Sequence, residues 1–108
     1  MPIRVSFEEM EWETPTRGYY LTDVKQKTLW VDEETGATWA LMKFPPGVID
    51  KKHTHPKANQ LVHPLTGANA GKMVGITKKG EPHGGGEVKE ETILLFYWDG
   101  PPDPVLVE

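Results

Sequence analysis

The sequence predicts an all-β fold of the antiparallel sandwich or barrel type, and three observations carry that prediction. Ten prolines and eleven glycines recur at short intervals and leave little room for helices. The segments between these breaks are short and rich in aromatic and β-branched residues, as strands are. Many short strands with regular breaks are typical of sandwiches and barrels, not of alternating strands and helices.

Five segments carry the predicted strands, and turn-forming residues separate them. The first, TLWV at 28–31, precedes the turn at Gly36, and the second, TWALMKF at 38–44, ends at Pro45. The third and fourth, 60–65 and 73–77, lie on either side of Gly67. The fifth, TILLFYW at 92–98, ends before Gly100. The segments are short enough for strands of one small domain.

The strand at 38–44 shows how its side chains divide between two faces. A period of two places Met42 with Ala40 and Phe44 on one face, and Trp39 with Leu41 on the other. We expect the Met42 face to lie inside. Trp39 and Leu41 then need cover, either from a strand within the first 35 residues or from a second subunit, and the sequence leaves both open.

Length and composition limit the class of protein. A chain of 108 residues, 37% hydrophobic and 26% charged, predicts a single globular domain over residues 1–108. No apolar run approaches the roughly 20 residues of a membrane span. The amino terminus has early acidic residues and no signal-peptide pattern, so we expect a cytoplasmic protein without a membrane partner.

Charge and cysteine content exclude further classes. The formal net charge is −4 and the basic residues form no cluster larger than a pair, which argues against nucleic acid as a partner. The chain has no cysteine, so disulfides, thiolate zinc sites and iron-sulfur clusters are all excluded. Any metal must be held by nitrogen and oxygen ligands.

Three histidines form a candidate metal site. His53 and His55 are two positions apart, so in an extended segment both side chains leave the same face and can reach one point. Two imidazoles hold a divalent ion only weakly, and His83, which follows Pro82, can supply the third ligand. His63 is not expected to be a ligand, because its odd offset from Gln60 points it to the opposite face.

The same stretch resembles the first signature of the cupin superfamily. That signature is Gly, five residues, His-x-His, three or four residues, Glu, six residues and Gly. This chain has Gly47, five residues, His53-Thr54-His55, four residues, Gln60 in place of Glu, six residues and Gly67.

The second cupin signature is matched only in its core. Two residues separate Gly80 from His83, as in the family. Lys72 stands at the first glycine position, Lys78 at the proline position and Glu87 at the asparagine position. The assignment of His83 therefore rests on a shorter match than that of His53.

The resemblance covers about residues 38–98 and implies a jelly-roll barrel with residues 1–37 packed on it or on a partner subunit. It also implies one divalent ion, Fe²⁺ or Zn²⁺ in the first place and Mn²⁺ or Ni²⁺ as alternatives, held by His53, His55 and His83. Small cupins are commonly dimers, so the resemblance further implies a homodimer.

Gln60 changes the charge of the predicted site. Without the glutamate of the family, three neutral imidazoles leave the ion its full double positive charge, which favours an anionic, chelating small-molecule substrate. Gln60 is predicted to complete the metal site and to orient water or substrate. Two alternatives stay open: Gln60 only binds a metal-bound water, or Asn59 points inward in its place.

Among cupins, the turn at 35–37, the segment Phe-Pro-Pro-Gly at 44–47 and the His-x-His motif resemble acetylacetone dioxygenase, dihydroxyacetophenone dioxygenase and anti-sigma-factor cupin domains. The resemblance implies an enzyme that cleaves a carbon-carbon bond of a small dicarbonyl or hydroxyketone, with oxygen if the ion is iron and by hydrolysis if it is zinc. Met42 and Phe44 are predicted to shape its pocket. The alternatives are a non-catalytic module that senses a metal or ligand and a structural cupin with a vestigial site.

Overall fold

The structure, a computed structural model, describes residues 2–16 and 18–107. The described chain contains one 3₁₀ helix (Phe7–Glu9) and nine strands. The strands are β1 (Lys25–Val31), β2 (Thr38–Phe44), β3 (Gly47–Val48), β4 (His53–Thr54), β5 (Gln60–Pro64), β6 (Gly75–Thr77), β7 (Glu87–Val88), β8 (Thr92–Trp98) and β9 (Val105–Leu106). All strand pairs are antiparallel, and the predicted all-β class is confirmed.

Five strands form what we call the regular layer, in the order β1-β2-β8-β5-β6. Its centre is the pair β2 and β8, which runs without a break from Thr38 opposite Trp98 to Phe44 opposite Thr92. Both strands coincide with predicted segments, because their aromatic and β-branched residues favour a pleated, half-buried surface.

Four short strands and two isolated bridges form what we call the broken layer. Its central segment, residues 47–54, pairs through β3 with β7 and through β4 with β9. Single bridges join Tyr20 to Asp50 and His53 to His83. None of the short strands was predicted, since two paired residues carry no periodic pattern.

The hydrophobic core lies between the two layers. Met42 and Ala40 are fully buried in it, which confirms the predicted inner face of β2. The other buried members of the core come from both layers and from the segment before β1: Val24, Ile49, Ala58, Leu94, Phe96 and Trp98.

The amino-terminal segment lies over the outer face of β1 and β2. Lys27, directly opposite Leu41, donates a hydrogen bond from Nζ to the carbonyl oxygen of Phe7 at 2.8 Å. Lys27 and Lys43 each place Nζ 4.6 Å from the ring centroid of Trp12, a cation-π arrangement. Leu41 is consequently buried, and the chain itself supplies the cover that the sequence left open.

The rest of the outer face is more open. Trp39 is half-buried and packs on Tyr97, with ring centroids 4.6 Å apart. Trp30 and Ile76, farther out on β1 and β6, are exposed. The predicted homodimer stays a prediction.

Three predicted strand boundaries differ from the structure, and the smallest difference is at β5, which ends at Pro64, one residue before the predicted end. β1 begins at Lys25, three residues before the predicted start, because pairing with β2 extends the ladder through polar residues. β6 begins at Gly75, two residues after the predicted start, because the turn between β5 and β6 occupies the preceding residues. Among the described residues, no helix is long and apolar enough to span a membrane.

Candidate metal centre

The structure brings His53, His55 and His83 together on the inner side of the broken layer. His53 and His55 are 1% and 2% exposed, and His83 is half-buried. His83 reaches them through a backbone bridge, since His53 N donates to His83 O at 2.8 Å and His83 N donates to His53 O at 2.9 Å. One candidate ligand atom from each of the three lies within 4.8 Å of the others.

A β-bulge places His53 opposite His83. The ladder of β3 and β7 continues through Ile49 N to Gly86 O at 3.1 Å and through Gly85 N to Asp50 O at 3.0 Å. The next pair joins His53 to His83, so one strand advances three residues while its partner advances two. The extra residue lies in the segment that carries His53. It places His53 directly opposite His83, so that the two side chains project to the same side.

Gly84 allows the close approach at this bulge. Its φ is +110°, and a Cβ atom added to it would lie 2.7 Å from the carbonyl oxygen of Lys51 and 3.2 Å from His53 Nδ1. Gly85 N and Gly86 O also form backbone hydrogen bonds with the central segment. A glycine is required where the two backbones come this close.

Backbone carbonyls fix the tautomer of each histidine ring. In all three, Nδ1 lies within hydrogen-bond distance of a carbonyl oxygen, and because a carbonyl can only accept, Nδ1 carries the proton. The partners are Lys51 O for His53 at 2.6 Å, Pro102 O for His55 at 2.8 Å and Glu81 O for His83 at 3.3 Å. Each Nε2 therefore bears a lone pair, the arrangement usual for histidines that ligate a metal.

These three nitrogens suit a divalent metal ion. Two nitrogens bound to one ion at about 2.1 Å each can lie at most about 4.2 Å apart. The group, within 4.8 Å, needs only a small closure of the rings to meet that limit. Neutral imidazoles suit zinc, iron, copper and nickel, so the donor set fits a metal without choosing one.

Gln60 lies in the same cavity as His53 and His83, at the start of β5. It is 7% exposed, and its Oε1 accepts a hydrogen bond from Trp98 Nε1 at 2.9 Å. Its predicted contact with a metal stays a prediction.

Asn59 points away from the site, so the alternative in which it replaces Gln60 is wrong. Its side chain is exposed, donates from Nδ2 to Asp99 Oδ2 at 2.7 Å and accepts from Lys79 N at 2.8 Å. The hydrogen bond from the Asn59 side chain lowers the pKa of Asp99.

Tyr19 is a site residue that sequence analysis missed. Its buried ring stacks on His53, with centroids 3.9 Å apart and planes at 27°, and its OH donates to the OH of Tyr20 at 3.3 Å. Lys51 N donates to Tyr19 O at 2.7 Å, which ties this segment to the central one. Two adjacent tyrosines outside any strand pattern gave no signal that they would reach the histidines.

The histidines open into a cavity of about 310 Å³ between the layers. Most of its wall is apolar or aromatic and includes Phe44, Val62, Leu94 and Phe96. Phe44 lines it as predicted, whereas Met42 is buried in the core and is absent from the described lining, so that part of the prediction is wrong.

Two carboxylates, Asp50 and Glu87, also line the cavity. Asp50 Oδ1 accepts a hydrogen bond from Gly85 N at 3.0 Å. Within 2–16 and 18–107, no lysine or arginine lines the cavity. His63 is exposed on the regular layer and is not a member of the histidine group.

Structural comparison finds similar folds at low sequence identity. A proposed acetylacetone dioxygenase from Methylibium petroleiphilum matches with a TM-score of 0.76 and 16% identity, over 100% of this chain and 82% of that one. An acetylacetone dioxygenase from Acinetobacter johnsonii matches with a TM-score of 0.69 and 14% identity, over 100% and 78%. A DMSP lyase from Ruegeria pomeroyi matches with a TM-score of 0.68 and 20% identity, over 90% of this chain and 60% of the lyase.

No protein-family model and no curated protein matches the sequence. Solved double-stranded β-helix and cupin-like proteins match its structure as well. At such identities the likeness concerns the fold. The fold of this chain is therefore that of the cupins, a double-stranded β-helix with three histidines gathered inside it.

Proposed function

We propose that this protein is a metal-dependent enzyme that cleaves a carbon-carbon bond in a small dicarbonyl or hydroxyketone. The observation that carries the proposal is the convergence of one ring nitrogen from each of His53, His55 and His83 beside a mainly apolar cavity. Two solved structures of similar fold, which are acetylacetone dioxygenases by name, support the same reaction class.

The charge of the site limits the substrate. Three neutral imidazoles leave a divalent ion its double positive charge, which would polarise a chelating oxygen and favour an anion. Asp50 and Glu87 in the cavity wall oppose a second negative charge on the substrate. The proposed substrate is thus a monoanion, such as the enolate of a 1,3-diketone, with neutral or apolar substituents.

The size and lining of the cavity fit such a compound. About 310 Å³ is at the lower end of the range for small-molecule sites, which is roughly 300–1,000 Å³. Phe44, Phe96 and Leu94 would contact the substituents of the substrate and exclude water. Tyr19 would hold the ring of His53 in place by stacking on it.

The overall reaction balances with one of two co-reactants. With O₂, a 1,3-diketone gives a carboxylic acid and a 2-oxoaldehyde, and both oxygen atoms of O₂ end in the products. With water, the same bond is hydrolysed to a carboxylic acid and a ketone, without oxidation. The reaction with O₂ would require a redox-active ion such as iron, whereas zinc would support the hydrolysis.

Metal analysis and an oxygen-consumption assay test the proposal. Protein purified without chelator or affinity-tag nickel is analysed for metal and then given pentane-2,4-dione and related diketones. Iron with oxygen uptake supports the dioxygenase, and zinc with product but no uptake supports the hydrolase. Metal or ligand binding without turnover of any diketone contradicts the enzyme and supports the sensing module.

A further inference from the structure

The side-chain amide of Gln60 has a fixed polarity. The indole N–H of Trp98 can only donate, so the atom that meets it at 2.9 Å must be the amide oxygen. Trp98 is itself fully buried and lies opposite Gln60 in the ladder of β5 and β8. The NH₂ end of the amide therefore points away from Trp98.

That NH₂ group lies on the side of the cavity. Gln60 is more than nine-tenths buried, and the surface that remains to it belongs to the cavity it shares with His53 and His83. The bond from Trp98 is the one side-chain hydrogen bond that Gln60 makes within the described chain. The NH₂ group keeps accessible surface, so an acceptor on a bound ligand can replace the water that would otherwise meet it there.

We propose that Gln60 donates a hydrogen bond to an anionic oxygen of the ligand, and that Trp98 is the positioning residue that sets this direction. The inference rests on the proposed function, which places a chelating ligand beside the histidines. It makes the amide a contact for the ligand and not for the metal. An N–H donor at this position favours ligands with an anionic oxygen, such as enolates and carboxylates. It does not favour nitrogen ligands, which present N–H groups of their own.

Two substitutions of Gln60 separate the possible roles. Gln60→Glu keeps an oxygen for Trp98 but turns an acceptor toward the cavity, where it repels an anion. Gln60→Met keeps the length of the side chain, removes the donor and leaves only a weak acceptor for Trp98. Asn69→Asp, on the exposed turn between β5 and β6, adds the same charge as Gln60→Glu and is the control.

The measurements are titrations of purified protein with Co²⁺, followed by titration of the Co²⁺-loaded protein with pentane-2,4-dionate and with imidazole. In Gln60→Met we expect the affinity for Co²⁺ and for imidazole to stay within about twofold, and that for the dionate to fall about tenfold or more. In Gln60→Glu we expect tighter Co²⁺ binding and a larger loss of dionate affinity. Asn69→Asp should behave as the wild type.

Trp98→Phe tests the positioning role. Without the indole N–H the amide can turn over, so the ratio of dionate to imidazole affinity should fall while Co²⁺ still binds. A general loosening of the fold would lower both affinities together and would contradict the positioning role.

Three results overturn the inference. If Gln60→Met loses Co²⁺, the amide is a metal ligand. If Gln60→Met binds Co²⁺ and the dionate as tightly as the wild type, the amide does not contact the ligand. If the wild type itself does not bind Co²⁺, the proposed metal centre fails and the inference fails with it.

Discussion

The two layers of this sandwich differ in regularity, and the difference separates stability from function. The regular layer is built on the continuous ladder of β2 and β8, has a register shift between Thr28 and Trp30 of β1, and supplies most of the core. The broken layer has strands of two residues, single bridges and a bulge, and it holds all three histidines. An unbroken ladder buries apolar side chains efficiently, whereas an interrupted one can aim polar groups inward.

The comparison also explains why the site needs support from other elements. Short strands make few hydrogen bonds of their own, and the histidines have further support. His55 is held by the carbonyl of Pro102, and His53 by the carbonyl of Lys51, two residues before it, and by the stacked ring of Tyr19. The regular layer faces them with Gln60 and Trp98, whose positions its continuous ladder fixes.

The largest expected effect lies in the regular layer and should leave the site intact. Met42→Ala removes a fully buried side chain from β2 and should lower the free energy of unfolding by about 2–5 kcal/mol. Denaturant unfolding of the metal-free protein measures this loss. If the layers divide their roles as described, metal affinity changes less than about twofold; a large change would break the comparison.

The next effect lies in the broken layer. Structural zinc sites with four ligands bind with about 10–16 kcal/mol, so losing one ligand should weaken binding roughly a hundred- to a thousandfold. His53→Ala should show that loss in equilibrium dialysis against Zn²⁺. His63→Ala, which removes an exposed histidine from the regular layer, should show none. An equal loss of Zn²⁺ affinity in the two variants would show that His53 is not a metal ligand.

Gly84 and Gly85 allow a test of the bulge itself. Both have positive φ, but only at Gly84 would a Cβ atom meet the backbone, 2.7 Å from Lys51 O. That carbonyl holds His53 Nδ1, and loss of such a partner typically weakens metal binding 10–100-fold. We expect this loss in Gly84→Ala, measured by dialysis, while Gly85→Ala keeps its affinity and shows only backbone strain.

The smallest effect concerns the pH dependence of stability in the regular layer. Asn59, through its side-chain amide and its backbone N–H, lowers the pKa of Asp99 in the folded protein. A lowered pKa stabilises the fold above the unfolded value, about 3.9, and this stabilisation is lost as pH falls through the folded value.

Asp99→Asn should therefore melt below the wild type at pH 6, with a difference that shrinks below about pH 4. Thermal melts across that range measure it. A difference that is constant with pH would show that the carboxylate charge is not what stabilises this contact.

The two layers also differ in how far the sequence predicts them. The bounds of β2 and β8 follow from the turn-forming residues that separate segments rich in aromatic and β-branched residues. His53 and His55 follow from their spacing in an extended segment. The sequence could not supply the bulge, since it depends on how segments 30 residues apart meet, nor Tyr19, whose contact with His53 arises from packing between distant parts of the chain.

The bulge between Asp50 and His53 makes this site depend on a count of residues. Removing Gly84, on the side of the bulge that carries His83, would place His83 directly beside Gly85 and shift it out of its pairing with His53. All three histidines would remain in such a chain, and a motif search would still find them. A single in-frame codon deletion would thus separate a chain of this fold that gathers its histidines from one that does not, although both carry the same histidines.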